Sequence, residues 1–339
     1  SAKERAHQAH VPTLGEAEAY FAMVHLPVPL PKAMKIPEAR AAVDKEWAKL
    51  EGLPAWDLSK VQPKKAVQAR AHREKKTIHF GSLSALCHLK NSELAKELQS
   101  YKGRVVYRGD QTKDEDGHLA VFTEQGTSSS QMSATKFIDV IARVPGNAGE
   151  DSDAEKAYTQ IPLSDAGRLL GVDVMPETWI SLPQSRWPKS WWGRTDDPVV
   201  QLTTNLYGHP LAGLLWDKGC TERILKCGFE KVPGWECLFV HRAKQIFLSV
   251  YVDDFHMAGK AENMKPMWAK LREHIKLEPE VPFHNNIYLG CQQIEVPTDE
   301  SLVKDKKRLF DEIMKKSAIG LHVPTTPSGE KHFPESALL

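Results

Sequence analysis

The stretch IFLSVYVDDFHMAG, residues 246–259, decides the fold. A mostly apolar run leads into two adjacent aspartates, Asp253 and Asp254, and a second apolar run follows. Two such runs around a short polar pair read as antiparallel strands joined by a tight turn. Adjacent carboxylates repel each other. Their pairing makes sense where something positive binds, or where they mark an exposed turn.

Working outward, WECLFVHRAK (235–244) adds a third strand on the N-terminal side. ENMKPMWAKLREHIKL (262–277) is an amphipathic helix with Met264, Trp268, Leu271 and Ile275 on one face. GLLWDKGCTERILKCGF (213–229) reads as another helix, and NIYLGCQQIEV (286–296) as a final strand. Strand, helix, two strands, helix, strand over about 150–296 is the order of a split βαβ sheet. In such a sheet the hairpin lies beside the end of the first strand. EDSDAEKAYTQ (150–160) places Asp153 just after the expected first-strand region, which predicts that Asp153 adjoins Asp253 and Asp254.

Three aspartates from two distant elements suit hard divalent cations. Two such ions about 4 Å apart can clamp the attacking and leaving oxygens of a phosphoryl transfer. Plainer readings of the same residues stand beside this one. Asp253 and Asp254 fit a simple hairpin turn, Asp153 a helix N-cap before AEKA, and Tyr158 a half-buried core aromatic.

In the N-terminal half, residues 1–34 end in LPVPLPKAM and read as an extended linker. PEARAAVDKEWAKLEG (37–52) is a helix opened by Pro37 and closed by Gly52, with Ala39, Val43, Trp47 and Leu50 on one face. AWDLSKV (55–61) and GRVVYRGD (103–110) read as strands, and DEDGHLAVF (114–122) as a turn and a third strand, of a small sheet with a basic face. SSSQMSATKFIDVIARVPG (128–146) turns helical, with Phe137, Ile138 and Ile141 inward. Residues 161–200, with the tryptophan-rich RWPKSWWGRTDDP, read as an irregular insertion.

The chain has 339 residues, 41% hydrophobic and 26% charged, enough for two or three subdomains. No apolar run approaches the ~18 residues of a membrane span, and the N-terminus lacks the apolar core of a secretory signal. The first residue is Ser1, so a fragment of a longer chain is expected. Five cysteines fit no zinc template and read as reduced thiols of an intracellular, cytoplasmic or nuclear, protein. A net charge of +1 is not the global basic excess of many nucleic-acid binders. The basic stretches, KKAVQARAHREKK (64–76), YKGRVVYRG (101–109) and KDKKRLFDEIMKK (304–316), are local.

Seven ordered motifs resemble the reverse transcriptase of copia-type LTR retrotransposons. YVDD between apolar strands is similar to the motif C of that family, and DAEKAY to its motif A. NLYGHPLAGLLWDK resembles the family's LYGLKQAPRLWYK, ETWISLPQ its EIYMRLPQG, and YKGRVVYRGD its YKARLVAKG. IYLGCQQIE resembles YFLGIEI, and AVDKEWAKLEGLPAWDL the opening AMKEEIEALEKNGTWEL. Together they cover roughly 35–296 in family order.

The resemblance implies an α+β fold, a right-hand polymerase palm (split βαβ, antiparallel sheet) with a fingers subdomain. The expected division is a linker at 1–34, fingers at 35–150, palm at 151–298 with its insertion at 161–200, and a truncated thumb at 299–339. It implies RNA-directed DNA polymerase activity with two Mg²⁺ ions, or Mn²⁺, on Asp153, Asp253 and Asp254. Tyr158 would be the steric gate under the sugar, Tyr251 and Val252 would touch the primer end or nucleotide, and Lys102 and Arg104 the triphosphate. The implied partners are an RNA template, a DNA primer and dNTP, with no membrane; oligomeric state stays open. Leu211 and Leu214 stand where the family carries Gln and Arg. That departure keeps a non-catalytic, domesticated nucleic-acid-binding protein, or the product of a decayed element, as the alternative.

Overall fold

In the computed structural model, residues 25–92, 94–122, 132–193, 196–289 and 291–292 are described. Residues 24–289 form one unit; the other unit, 1–23 with 290–339, lies almost wholly outside the described residues. In chain order the first elements are β1 (Leu26–Val28), α1 (Pro37–Glu51), β2 (Gln62–Pro63), α2 (Lys64–Glu74), β3 (Ile78–Lys90) and β4 (Ser100–Tyr107). Then come α3 (Met132–Ala142), β5 (Asn147–Asp153), β6 (Glu177–Ser181), β7 (Pro198–Gln201) and α4 (Ala212–Lys226). The last are β8 (Glu230–Lys231), β9 (Leu238–His241), β10 (Ile246–Tyr251), β11 (Asp254–Lys260), α5 (Ala261–Arg272) and β12 (Val281–Pro282).

The first sheet runs β1-β3-β6-β7-β2, with β4 also on β3. Its centre is β3, 13 residues long. The first part of β3 pairs parallel with β6, from Ile78↔Glu177 to Ser82↔Ser181; the rest pairs antiparallel with β4, from Leu83↔Tyr107 to Lys90↔Ser100. Helix α1 covers this sheet through Ala39, Val43, Trp47 and Leu50, all buried with Val105, Tyr107 and Ile180. Their spacing gives one continuous apolar stripe, and truncating a buried Trp such as Trp47 costs ~3–5 kcal/mol.

The second sheet is antiparallel throughout, in the order β12-β5-β11-β10-β9-β8. Strands β5, β10, β11 and β12 with helices α4 and α5 have the connectivity of a split βαβ unit. One face packs Leu248, Val250, Phe255 and Met257 on Leu215, Trp216, Met264, Trp268 and Leu271 of the two helices. The other face packs Ala258 on Ala134 and Ile138 of α3.

Several expectations change in the structure. Residues 55–61 are not a strand: Leu58–Lys60 form a 3₁₀ turn capped by Asp57, whose Oδ1 accepts the N–H of Ser59 (2.9 Å). In 114–122 the expected turn forms, with Asp114 Oδ1 accepting the N–H groups of Asp116 (3.0 Å) and His118 (2.9 Å), but the strand after it is reduced to an isolated bridge between Lys113 and Leu119. Leu26–Val28, inside the expected linker, pairs with Leu89–Cys87 of β3. The segment 161–200 supplies β6 and β7 to the first sheet, and α3, expected with the fingers, lies on the second. The final place in the second sheet, expected for 286–296, is taken by Val281–Pro282; Ile287–Tyr288 and Cys291–Gln292 are extended but belong to neither sheet, and 293–296 lie outside the described residues. The proposed thumb at 299–339 also lies outside them.

Candidate functional site

The end of β5 and the β10–β11 turn meet at one end of the second sheet. Register pairs Asp153 with Asp254, and Tyr251 with Asp254 across the turn. The turn itself is therefore the two residues Val252 and Asp253. Val252 has φ 56°, in the left-handed region that a β-branched residue avoids. Positive φ at the first central position alone matches a type II′ hairpin. Two bonds secure it: Trp216 Nε1–H donates to the Val252 carbonyl (2.5 Å), and Ala154 N–H donates to the Asp253 carbonyl (2.7 Å). The far side of β5 is tied by Glu278 N–H to the Asp153 carbonyl (2.8 Å).

Asp153 and Asp253 line a cleft of about 410 Å³ shared with the first sheet. The facing wall carries Lys102 and Arg104 of β4, with Lys45, Glu46 and Lys49 of α1. Partial burial, then the charges of Glu278, Asp253 and Asp151, push the Asp153 carboxyl above the usual range. Asp254 is half-buried on β11; burial, then Asp253 and Asp153, push it up to about 7. Burial and its neighbours Arg104 and Lys90 lower Lys102, while Asp253 and Glu46 pull it back. The cleft thus sets opposed charges against each other across two sheets.

Tyr158, Tyr251 and Val252 lie together elsewhere, lining an adjoining pocket of about 140 Å³ with Trp216, Asp217 and Cys237. Tyr251 and Val252 are exposed there. Between the two spaces Tyr158 and Tyr207 lie in tilted contact, ring centres 4.5 Å apart at 56°, and of the two only Tyr207 lines the cleft. The Arg104 guanidinium lies 5.8 Å from the Tyr207 ring centre. Burial and the Asp253 charge push the Tyr207 phenol up to about 12. Gly208 makes this placement: with φ 85°, its missing Cβ would meet the Tyr107 carbonyl oxygen of β4 at 2.1 Å.

So Asp153, Asp253, Lys102 and Arg104 share the cleft, Asp254 adjoins it through strand pairing, and Tyr158, Tyr251 and Val252 border the second pocket. Sequence reasoning missed Tyr207, Lys45, Lys49 and Lys156. The signal for the α1 lysines was their i,i+4 spacing beside Ala42. Leu211 and Leu214 are buried, so no polar group enters from those positions. Carboxylate oxygens are the donors a hard divalent cation prefers, and Mg²⁺ is commonly held by one or two carboxylates plus substrate phosphates. Asp153 and Asp253 supply that much. Among the described residues no three His, Cys, Asp or Glu side chains converge into a complete ligand set.

No family model matches this chain. It is 30% identical over 116 residues to the transposon Ty1-GR3 Gag-Pol polyprotein of Saccharomyces cerevisiae, 34% of this chain and 6% of that protein. To the Ty1-DR1 Gag-Pol polyprotein of the same organism it is 25% identical over 180 residues, 51% of this chain and 9% of that protein. The chain therefore matches less than a tenth of the length of these polyproteins. Among solved structures, telomerase from Candida albicans in complex with a fragment of telomeric RNA overlaps 71% of this chain and 45% of that one, at TM-score 0.39 and 7% identity. The sequence similarities point to a retrotransposon origin.

Proposed function

We propose that this chain is the RNA-directed DNA polymerase portion of a copia-like retroelement. The second sheet is the palm and the first sheet the fingers. The observation that carries this reading is the single cleft with Asp153 and Asp253 on one wall and Lys102 and Arg104 on the other. Phosphoryl transfer needs little covalent chemistry from the protein and mostly positioning and charge. A primer 3′-hydroxyl attacks the α-phosphate of a dNTP in line, and pyrophosphate leaves. Lys102 and Arg104 neutralise phosphate oxygens, with Arg104 steadied on the Tyr207 ring. Asp153 and Asp253 hold negative charge where the polyphosphate and hydroxyl meet, and the tied, strained turn fixes that position. Divalent cations on these carboxylates, Mg²⁺ or Mn²⁺, would supply charge neutralisation and a lowered hydroxyl pKa. Tyr207, backed by Tyr158, would stand beside the sugar.

A second reading is a duplex-binding protein that keeps this fold without chemistry. The absence of a three-side-chain metal set among the described residues, with buried leucines at 211 and 214, favours it. Primer extension on a poly(A) template with an oligo(dT) primer, dTTP and Mg²⁺ separates the two. Extension that disappears in Asp253→Asn supports the polymerase; tight duplex binding without extension supports the second reading.

A further inference from the structure

Helix α1 contributes to the cleft in a way that its apolar stripe did not announce. Gly103 sits on β4 between Lys102 and Arg104, with no side chain. A Cβ there would meet the Ala42 carbonyl oxygen at 2.5 Å and the Val43 Cα at 2.8 Å. The helix backbone therefore lies directly against the strand that bears the two cations. The resembled motif has alanine at this place, YKARLV against YKGRVV, and an alanine Cβ would not fit the approach seen in this chain. As a result Ala42, Lys45, Glu46, Lys49 and Leu50, one stripe of α1, line the same cleft as Asp153 and Asp253. Glu46 pairs with Lys49 (2.7 Å), and among the described residues Lys45 has no ion-pair partner. Lys45 is exposed, on a stem long enough to reach an anion in the cleft.

We propose that Lys45 is a further substrate-binding residue, contacting the polyphosphate tail of a nucleotide from the α1 side, opposite Asp153 and Asp253. A triphosphate tail carries charge on every phosphoryl group, and two cations on β4 address it from one strand only. Lys45 adds a third from a separate element, and Lys49 is held back by Glu46. The cleft as a nucleotide site is the reading on which this inference rests.

The test measures sodium tripolyphosphate binding, with Mg²⁺, to the whole chain by titration calorimetry. Three proteins are compared: wild type, Lys45→Gln, and Lys65→Gln on α2, an exposed lysine outside the cleft. Neither lysine is buried, so the fold should be kept, and matched unfolding midpoints check this. Lys45→Gln is expected to weaken binding about five- to tenfold, near 1 kcal/mol, with Lys65→Gln unchanged. In primer extension the same variant should raise the KM for dNTP by a similar factor and leave kcat near wild type. Wild-type affinity in Lys45→Gln overturns the inference and leaves the cleft reading standing. An equal loss in Lys65→Gln overturns it too, since general surface charge then explains the binding. No tripolyphosphate binding by wild type overturns the cleft reading and the inference together.

Discussion

Asp153 and Asp254 stand directly opposite each other on β5 and β11, and one residue on, the Ala154 N–H closes a 2.7 Å bond to the carbonyl of Asp253. Asp153 and Asp254 are thus placed by one ladder, and Asp253 by the tied turn that closes it. Asp153→Asn and Asp253→Asn should each lower primer extension by about 10²-fold or more, a loss near 3 kcal/mol of transition-state stabilisation. Affinity for a primer–template duplex, read by fluorescence anisotropy, should change little, and should fall with salt in all three proteins. Near-normal extension by either variant would end the catalytic assignment.

Val252 holds positive φ in a turn where glycine is at ease. Strain of this kind costs ~1–3 kcal/mol. Val252→Gly should return part of it, less the ~0.5–1 kcal/mol by which glycine loosens the unfolded chain. The exposed side chain gives up little packing. A net gain of about 1 kcal/mol in urea unfolding is expected, while Val252→Ile should show none. Loss of stability in the glycine variant would mean the turn is relaxed.

His209 is buried, and its Nδ1 accepts the N–H of Leu211 at 3.2 Å. Burial, then the neighbouring His79, push the imidazole down to about 4. The unfolded chain takes up this proton near pH 6.5 and the folded chain near 4. Stability from this group is therefore fully present above 6.5 and lost as pH falls through that window. The loss is about 3 kcal/mol by pH 4. His209→Asn keeps an acceptor for Leu211 but cannot titrate. Urea unfolding at pH 7, 5.5 and 4.5 should show wild type losing about 2 kcal/mol more than the variant by pH 4.5. Parallel losses in the two proteins would contradict the assignment.

The second sheet was legible where apolar runs carry it. Residues 246–259 gave β10, the turn and β11, and Met264, Trp268, Leu271 and Ile275 are buried as their spacing required. Strand β5, NAGEDSD, has almost no strand propensity of its own. It is extended because β11 and β12 pair with it on both sides, a constraint no local window contains. The 13-residue β3 escaped for a related reason: it switches partners from β6 to β4 midway, so its pattern of buried positions is not one alternation. At the site, Asp153 and the aspartate pair were readable from order along the chain. The placement of Tyr207 and Lys45 at the cleft was not, because each depends on a glycine, Gly208 or Gly103, that lets two backbones approach.

Tyr158 follows Asp153 by five positions and lies in tilted contact with Tyr207, the ring that lines the cleft. Burial, then the Asp253 charge, push the Tyr158 phenol above its usual range and keep the ring neutral. In the proposed polymerase the two rings form a wall that would exclude a ribose 2′-hydroxyl by steric conflict and leave deoxyribose undisturbed, a difference in transition-state binding. Tyr158→Val removes the support behind Tyr207 and should raise ribonucleotide over deoxyribonucleotide incorporation about tenfold, or ~1.4 kcal/mol of discrimination. Tyr158→Phe should leave the ratio unchanged, because bulk and not the hydroxyl is at issue. The measurement is steady-state incorporation of dNTP and rNTP opposite the same template base, in all three proteins. An unchanged ratio in an active Tyr158→Val enzyme would move the gate to Tyr207 alone, and Tyr207→Val would then have to produce the shift.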